Sequence, residues 1–135
     1  MKYKIKWIAL LLAVELMQFS ACKKAPGEGG KASIHGKIWV EDWNAAFTIK
    51  NGEYAGYDRD VYIVYGDVSG YSDRIKADYK GEFEFRYLRK GNYTVYVYSK
   101  DSSLNSKSGD TAFVQKLEIS SKKQNLTLNT FTVFE

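Results

Sequence analysis

The residues able to do chemistry in this 135-residue chain are few. There is one cysteine, Cys22, and one histidine, His35. A zinc site or a disulfide framework needs several such residues, and a histidine-dependent catalytic group needs partners that His35 lacks, so none of these is expected. Carboxylates are plentiful in the polar connections, among them Asp42, Asp58, Asp60, Asp73 and Asp110. Calcium requires six to eight converging oxygens, and no EF-hand spacing occurs. Asp58-Arg59-Asp60 and Asp73-Arg74 read instead as solvated turns with local ion pairs. The sequence therefore predicts no metal site, no cofactor and no catalytic residues. Its most distinctive chemical feature is aromatic: ten of the eleven tyrosines fall between positions 54 and 98.

The elements that must carry these tyrosines are strands. From residue 32 onward apolar residues recur with period two, rich in Val, Ile, Tyr, Phe and Thr and punctuated by Gly, Asn and Asp. The pattern predicts an all-β domain over 33–135 with strands at 33–41, 60–65, 74–78, 82–87, 93–99, 112–119 and 125–134. Seven strands in about 100 residues imply an antiparallel sandwich. In residues 82–87 the aromatics Phe83, Phe85 and Tyr87 share one face and the charges the other, so a one-residue slip would bury two carboxylates and an arginine. The same alternation sends Tyr93, Val95 and Val97 inward and leaves Tyr62, Tyr96 and Tyr98 on an outer sheet face. Such a strip could stack on sugar rings or take a partner's apolar side chains, or simply pair across strands to stabilise a solvated face. Trp43, in the long aromatic connection 43–57, is a second candidate contact. In the last strand Leu126 and Leu128 have one parity and Phe131 and Val133 the other, which a bulge near Asn129 or Thr130, or a strand buried on both faces, would reconcile.

The first segment has the layout of a secretory signal, with Lys2, Lys4 and Lys6 before an apolar run from Trp7 to Val14 and small residues before Cys22. The apolar stretch is shorter than the about 20 residues that span a bilayer and contains Glu15 and Gln18. Phe19-Ser20-Ala21-Cys22 resembles the lipobox of bacterial lipoproteins, with Phe in place of the usual Leu. That resemblance implies a signal peptide over 1–21, cleavage before Cys22, and lipidation of Cys22, giving a membrane anchor without a membrane span. Residues 22–32, with Pro26 and three glycines, read as a flexible tether. Cleavage removes three lysines and Glu15, leaving 17 basic and 15 acidic side chains in 114 residues. The basic character of the whole chain is thus partly that of the signal, and nucleic-acid binding loses its electrostatic support.

Residues 78–95, reading Asp-Tyr-Lys-Gly-Glu-Phe-Glu-Phe and then Leu-Arg-Lys-Gly-Asn-Tyr-Thr-Val after Arg86-Tyr87, resemble the carboxypeptidase regulatory-like domain and its transthyretin-like and Cna protein B-type relatives. The resemblance implies a Greek-key, prealbumin-like sandwich and a structural or binding role. The transthyretin-like hydrolases need several histidines, where this chain has only His35, and a Tyr-Arg-Gly-Ser motif, which it lacks. Asp110-Thr111-Ala112 is similar to the O-glycosylation motif of exported Bacteroides-type proteins, which makes Thr111 a candidate acceptor. Lys23-Lys24 differs from the acidic stretch associated with surface export in that group, which favours the periplasmic face of an outer membrane. The expectation is a non-enzymatic envelope lipoprotein acting as a structural or protein-interaction module, with a glycan- or peptide-binding lipoprotein that uses the tyrosine face as the alternative. Exposed edge strands leave its oligomeric state open.

Overall fold

The structure, a computed structural model, describes residues 24–135. Cys22 and the signal segment lie outside the described residues. The described chain forms two facing sheets without a helix, from nine strands: β1 (Glu28–Trp43), β2 (Lys50–Ala55), β3 (Asp60–Tyr65), β4 (Asp73–Lys76), β5 (Glu82–Leu88), β6 (Gly91–Lys100), β7 (Asp110–Ile119), β8 (Asn125–Thr127) and β9 (Phe131–Phe134). No helix among these residues is long and apolar enough to cross a membrane.

β1 is the spine of the first sheet. Along one edge it pairs antiparallel with β5 and then β2, and Ile38 joins them by donating its amide to Gly81 and accepting that of Gly56. β8 and β9 lie parallel to β1. The second sheet runs β4-β3-β6-β7 and is antiparallel throughout. Between the sheets sit Ile34, Ile38 and Val40 of β1, Val61 and Ile63 of β3, Phe83, Phe85 and Leu88 of β5, Tyr93, Val95 and Val97 of β6, and Phe131 and Val133 of β9. Each aliphatic or aromatic side chain fully buried here contributes about 1.5–3 kcal/mol. No disulfide is needed to explain a core of this size.

The stretch 78–95 builds the turn-strand-turn-strand centre of this core. The Asp78 carboxylate accepts the amides of Lys80 at 2.8 Å and Glu82 at 2.9 Å. Gly81, at φ +75°, turns the chain into β5, and a Cβ there would lie 2.3 Å from the Ile38 carbonyl oxygen. Phe83, Phe85 and Leu88 then face inward, as do Tyr93 and Val95 after the next turn.

The structure departs from the sequence reading in several places. Among the described residues there are nine strands and not seven. β2 was legible only as a connection because Lys50-Asn51-Gly52-Glu53 is a polar, largely exposed edge strand with no apolar alternation. The last predicted strand divides into β8 and β9, the break falling at 128–130 where the parity changes. Tyr87 is not in the core: it adopts φ +58°, is 69% exposed, and yields its place to Leu88. Leu88 faces both Glu28 and Ala32, which marks an irregularity where β5 meets β1. The tether is also shorter than expected, because β1 begins at Glu28 and Gly27 is buried. Glycine content suggested flexibility there. The glycines instead allow close approach, since a Cβ on Gly30 would lie 1.8 Å from the Leu88 carbonyl oxygen.

Candidate functional site

The outer face of the second sheet gathers four tyrosines. Register places Arg74 of β4, Tyr62 of β3, Tyr96 of β6 and Val114 of β7 in one row across the sheet. Inward-facing neighbours fix this orientation: Val61, Ile63, Val95 and Val97 are buried, so the residues between them must face out. The rings of Tyr62 and Tyr96 stack with centroids 5.0 Å apart and planes 9° from parallel. Tyr98 meets both edge-on, at 5.6 Å from Tyr62 and 5.7 Å from Tyr96. Tyr71, from the β3–β4 connection, packs edge-on against Tyr62 at 5.2 Å.

The geometry divides the labour among these rings. Tyr62 and Tyr96 are half-buried, and each uses a ring face on the other. Tyr71 is 54% exposed, Tyr98 53% and Val114 50%, so these three supply the open contact surface. Burial, followed by the neighbouring Tyr98, pushes the Tyr96 phenol above its ordinary value. It therefore stays a neutral donor and acceptor across the physiological range. The Tyr62 hydroxyl and then Asp60 raise the Arg74 guanidinium, which stands 3.8 Å from the Asp60 carboxylate. The patch thus combines apolar ring area, phenolic hydroxyls and the Arg74–Asp60 ion pair.

The alternation located Tyr62, Tyr96 and Tyr98 correctly and missed Tyr71 and Arg74. Tyr71 lies in a connection, where no periodicity assigns a face. Arg74 could have been found from the Tyr62 register once β4 was placed.

The other candidates do not join this patch. Trp43 ends β1 in the other sheet, half-buried, with its indole N–H donating to Glu41 Oε2 at 3.2 Å. Trp39, on the outward side of β1, lies under the Lys37 ammonium at 5.6 Å. Thr111 sits within β7, opposite Ser99 and half-buried, and not in the preceding loop.

His35 has polar neighbours on one ring nitrogen. Its Nε2 lies 2.9 Å from Ser33 Oγ and 3.4 Å from Glu84 Oε1. A serine–histidine–acid relay uses one ring nitrogen for the serine and the other for the acid. Here both contacts fall on the same nitrogen, and Ser33 Oγ also lies 2.9 Å from Asn125 Oδ1. Among the described residues no group of three or more His, Cys, Asp or Glu side chains is placed to hold a metal ion.

No protein-family model and no curated protein matches the chain. Among the solved structures that resemble it distantly are two of differing description. One is a candidate carbohydrate-binding protein from Pseudomonas aeruginosa, with a TM-score of 0.47 and 13% identity over 89% of this chain and 96% of that one. The other is an (S)-allantoin synthase, with a TM-score of 0.41 and 8% identity over 79% of this chain. The match covers only 43% of the synthase. Likenesses this distant say nothing of ligand or reaction.

Proposed function

We propose that this chain is a non-enzymatic lipoprotein of the bacterial cell envelope, anchored through Cys22, whose domain binds a protein partner through the tyrosine face. One observation carries the binding reading. Tyr71, Tyr98 and Val114 lie open to solvent beside Arg74 on a patch whose inner rings, Tyr62 and Tyr96, hold them in place. Tyrosine and arginine are the residues that most often dominate protein interfaces, because they offer large contact area with hydrogen-bonding tips. The same rings could stack on a sugar, so a glycan is the second reading, favoured by the phenol-rich rim.

The lipidated amino terminus rests on the signal layout and the Phe19-Ser20-Ala21-Cys22 motif, as does the periplasmic face on Lys23-Lys24. Kinship with the carboxypeptidase regulatory-like domains is supported by the turn and core roles of Asp78, Gly81, Phe83, Phe85, Leu88 and Tyr93.

The test compares wild type with Tyr71→Ala/Tyr98→Ala in capture from envelope extracts and on glycan arrays. Both tyrosines are about half exposed, so the variant should stay folded and lose less melting temperature than one at Tyr62 or Tyr96. Loss of a captured protein supports the first reading, and loss of a glycan signal the second. A variant that binds everything the wild type binds ends both. Intact mass of the mature chain tests the anchor separately: absence of acyl mass on Cys22 refutes it.

A further inference from the structure

A second feature lies at the opposite end of the β6–β7 hairpin from its 101–109 loop. There a cleft of about 1060 Å³ is floored by Leu88 and Ile119 and rimmed by Lys24, Lys31, Arg89, Lys90, Lys122 and Lys123. Glu118 is the one carboxylate in its lining, and Glu28 is the nearest other in sequence. Residues 24–135 hold 16 basic and 15 acidic side chains, a net charge of +1. The cleft lining alone carries +5, so the rest of the domain carries −4. None of the six cations takes part in an ion pair among the described residues, although Lys50, Arg59, Arg74, Lys76, Arg86 and Lys100 all do.

Arg89 gives the cleft a fixed donor. Its amide donates to the Gly27 carbonyl at 2.8 Å and its carbonyl accepts the Tyr93 hydroxyl at 2.7 Å, so its backbone is held from both sides. Its guanidinium lies over Gly29, where a Cβ would come 2.8 Å from Nη2. Its Nε is buried and has no hydrogen-bond partner. A buried donor on a cation is costly to leave unmade, and it is satisfied most strongly by an anionic oxygen.

We infer that this cleft binds a phosphate group. Lys24, two residues after Cys22, lines it, so on the anchor reading the cleft faces the lipid surface and its ligand is an anionic phospholipid headgroup. Free phosphate carries the same chemistry.

The experiment uses the full chain, isotopically labelled, in neutral detergent micelles, with the amides of Gly29, Gly30 and Gly91 as reporters. Inorganic phosphate, dihexanoyl phosphatidylglycerol and dihexanoyl phosphatidylcholine are titrated separately. Saturable shifts with the glycerol lipid and none with the choline lipid assign the site to an anionic headgroup. Saturation by inorganic phosphate alone assigns it to the free ion. Lys122→Gln/Lys123→Gln, both exposed, should raise the half-saturating lipid concentration about thirtyfold, at roughly a fivefold loss per cation. Lys107→Gln, in the far loop, should leave it unchanged. Absence of saturable shifts with either phosphate probe, or equal affinity in the double variant, overturns the inference. The inorganic-phosphate titration does not depend on Cys22 carrying lipid, so the site and the anchor fail separately.

Discussion

The hydroxyl of Tyr93, a side chain only 1% exposed, accepts the amide of Gly27 at 2.9 Å across 66 positions of sequence. The same hydroxyl donates to the Arg89 carbonyl. A single core residue thereby ties the start of the described chain to the β5–β6 turn. Tyr93→Phe removes both bonds while keeping the ring, and leaves a buried amide unmade, at a cost of about 1–3 kcal/mol. Urea unfolding should show the lower midpoint, and hydrogen exchange should show faster opening at 27–31. An unchanged midpoint with unchanged exchange would mean that the hydroxyl holds nothing.

Two glycines, Gly81 in the turn before β5 and Gly52 in β2, should respond very differently to alanine. At Gly81 the φ of +75° strains any Cβ, which would also meet the Ile38 carbonyl oxygen at 2.3 Å and the Gly56 nitrogen at 2.8 Å. These are backbone atoms and cannot rotate away, so Gly81→Ala should cost over about 2 kcal/mol. Around Gly52 nothing lies within 4 Å. Gly52→Ala should be neutral, or stabilising by up to about 1 kcal/mol through the unfolded chain. Parallel thermal melts give the comparison, and equal losses at the two sites would contradict this geometry.

What the sequence made legible follows from where one face is buried and the other wet. Strands β3, β5 and β6 alternate along most of their length, so the outward set Tyr62, Tyr96 and Tyr98 and the bounds of β3 could be read directly, whereas β5 runs one residue further, and β6 starts two residues earlier and ends one later, than the pattern predicts. β2 carries no such alternation, because an edge strand with both faces largely exposed needs no apolar side. Tyr87 broke the rule at the end of β5, since a positive φ inserts one residue into the pattern and hands the core position to Leu88. Gly27, Gly29 and Gly30 were misread for a different reason. Composition cannot tell a glycine that loosens a tether from one that lets two backbones touch. Tyr71 and the basic cleft both depend on connections meeting in space, which no local period encodes.

The loop before β7 should loosen in acid. The Asp101 carboxylate accepts the amides of Ser103 at 2.9 Å, Asn105 at 2.9 Å and Ser106 at 2.7 Å, together with the Ser103 hydroxyl at 2.6 Å. The Ser103 hydroxyl and then these amides hold its pKa down to about 2, against 3.8 for a free side chain. A depressed carboxylate favours the ordered form above the free value and loses that effect as pH falls through the depressed one. Protection of the amides at 103–106, taken against the intrinsic exchange rate at each pH, should therefore fall between about pH 4 and pH 2. Asp101→Asn should show fast exchange already at pH 6, and a pH-independent loop would sink the assignment.

At alkaline pH the core itself should weaken. Burial first, then Asp73, pushes the Tyr65 phenol up to about 12, and burial raises Tyr93 as well. The protonated phenol is the neutral form, so the native state holds a proton that the unfolded chain releases near pH 10. Stability then falls as pH rises from about 10 to 12. Denaturant midpoints across that window should fall less steeply in Tyr65→Phe, with phenolate absorbance as the second readout. A slope identical to wild type would show that Tyr65 ionises alike in both states.

The stacked pair and the exposed pair of the tyrosine face should separate in a double-mutant cycle. Tyr62 and Tyr96 are directly paired across β3 and β6 and share a ring face, so their contact belongs to the folded domain whether or not a ligand is present. Alanine at either should destabilise, and the cycle should return a coupling of about 0.5–1.5 kcal/mol. Tyr71 and Tyr98 touch the cluster edge-on with half their surface open. Their alanine variants should cost less stability than those at Tyr62 or Tyr96 while removing the binding signal. The comparison also guards against a false positive, because Tyr62→Ala could abolish binding merely by tilting Tyr71 and Tyr98. If instead Tyr71→Ala and Tyr98→Ala are the destabilising changes and binding survives them, the face is a packing device, and the contact surface must be sought elsewhere on the domain.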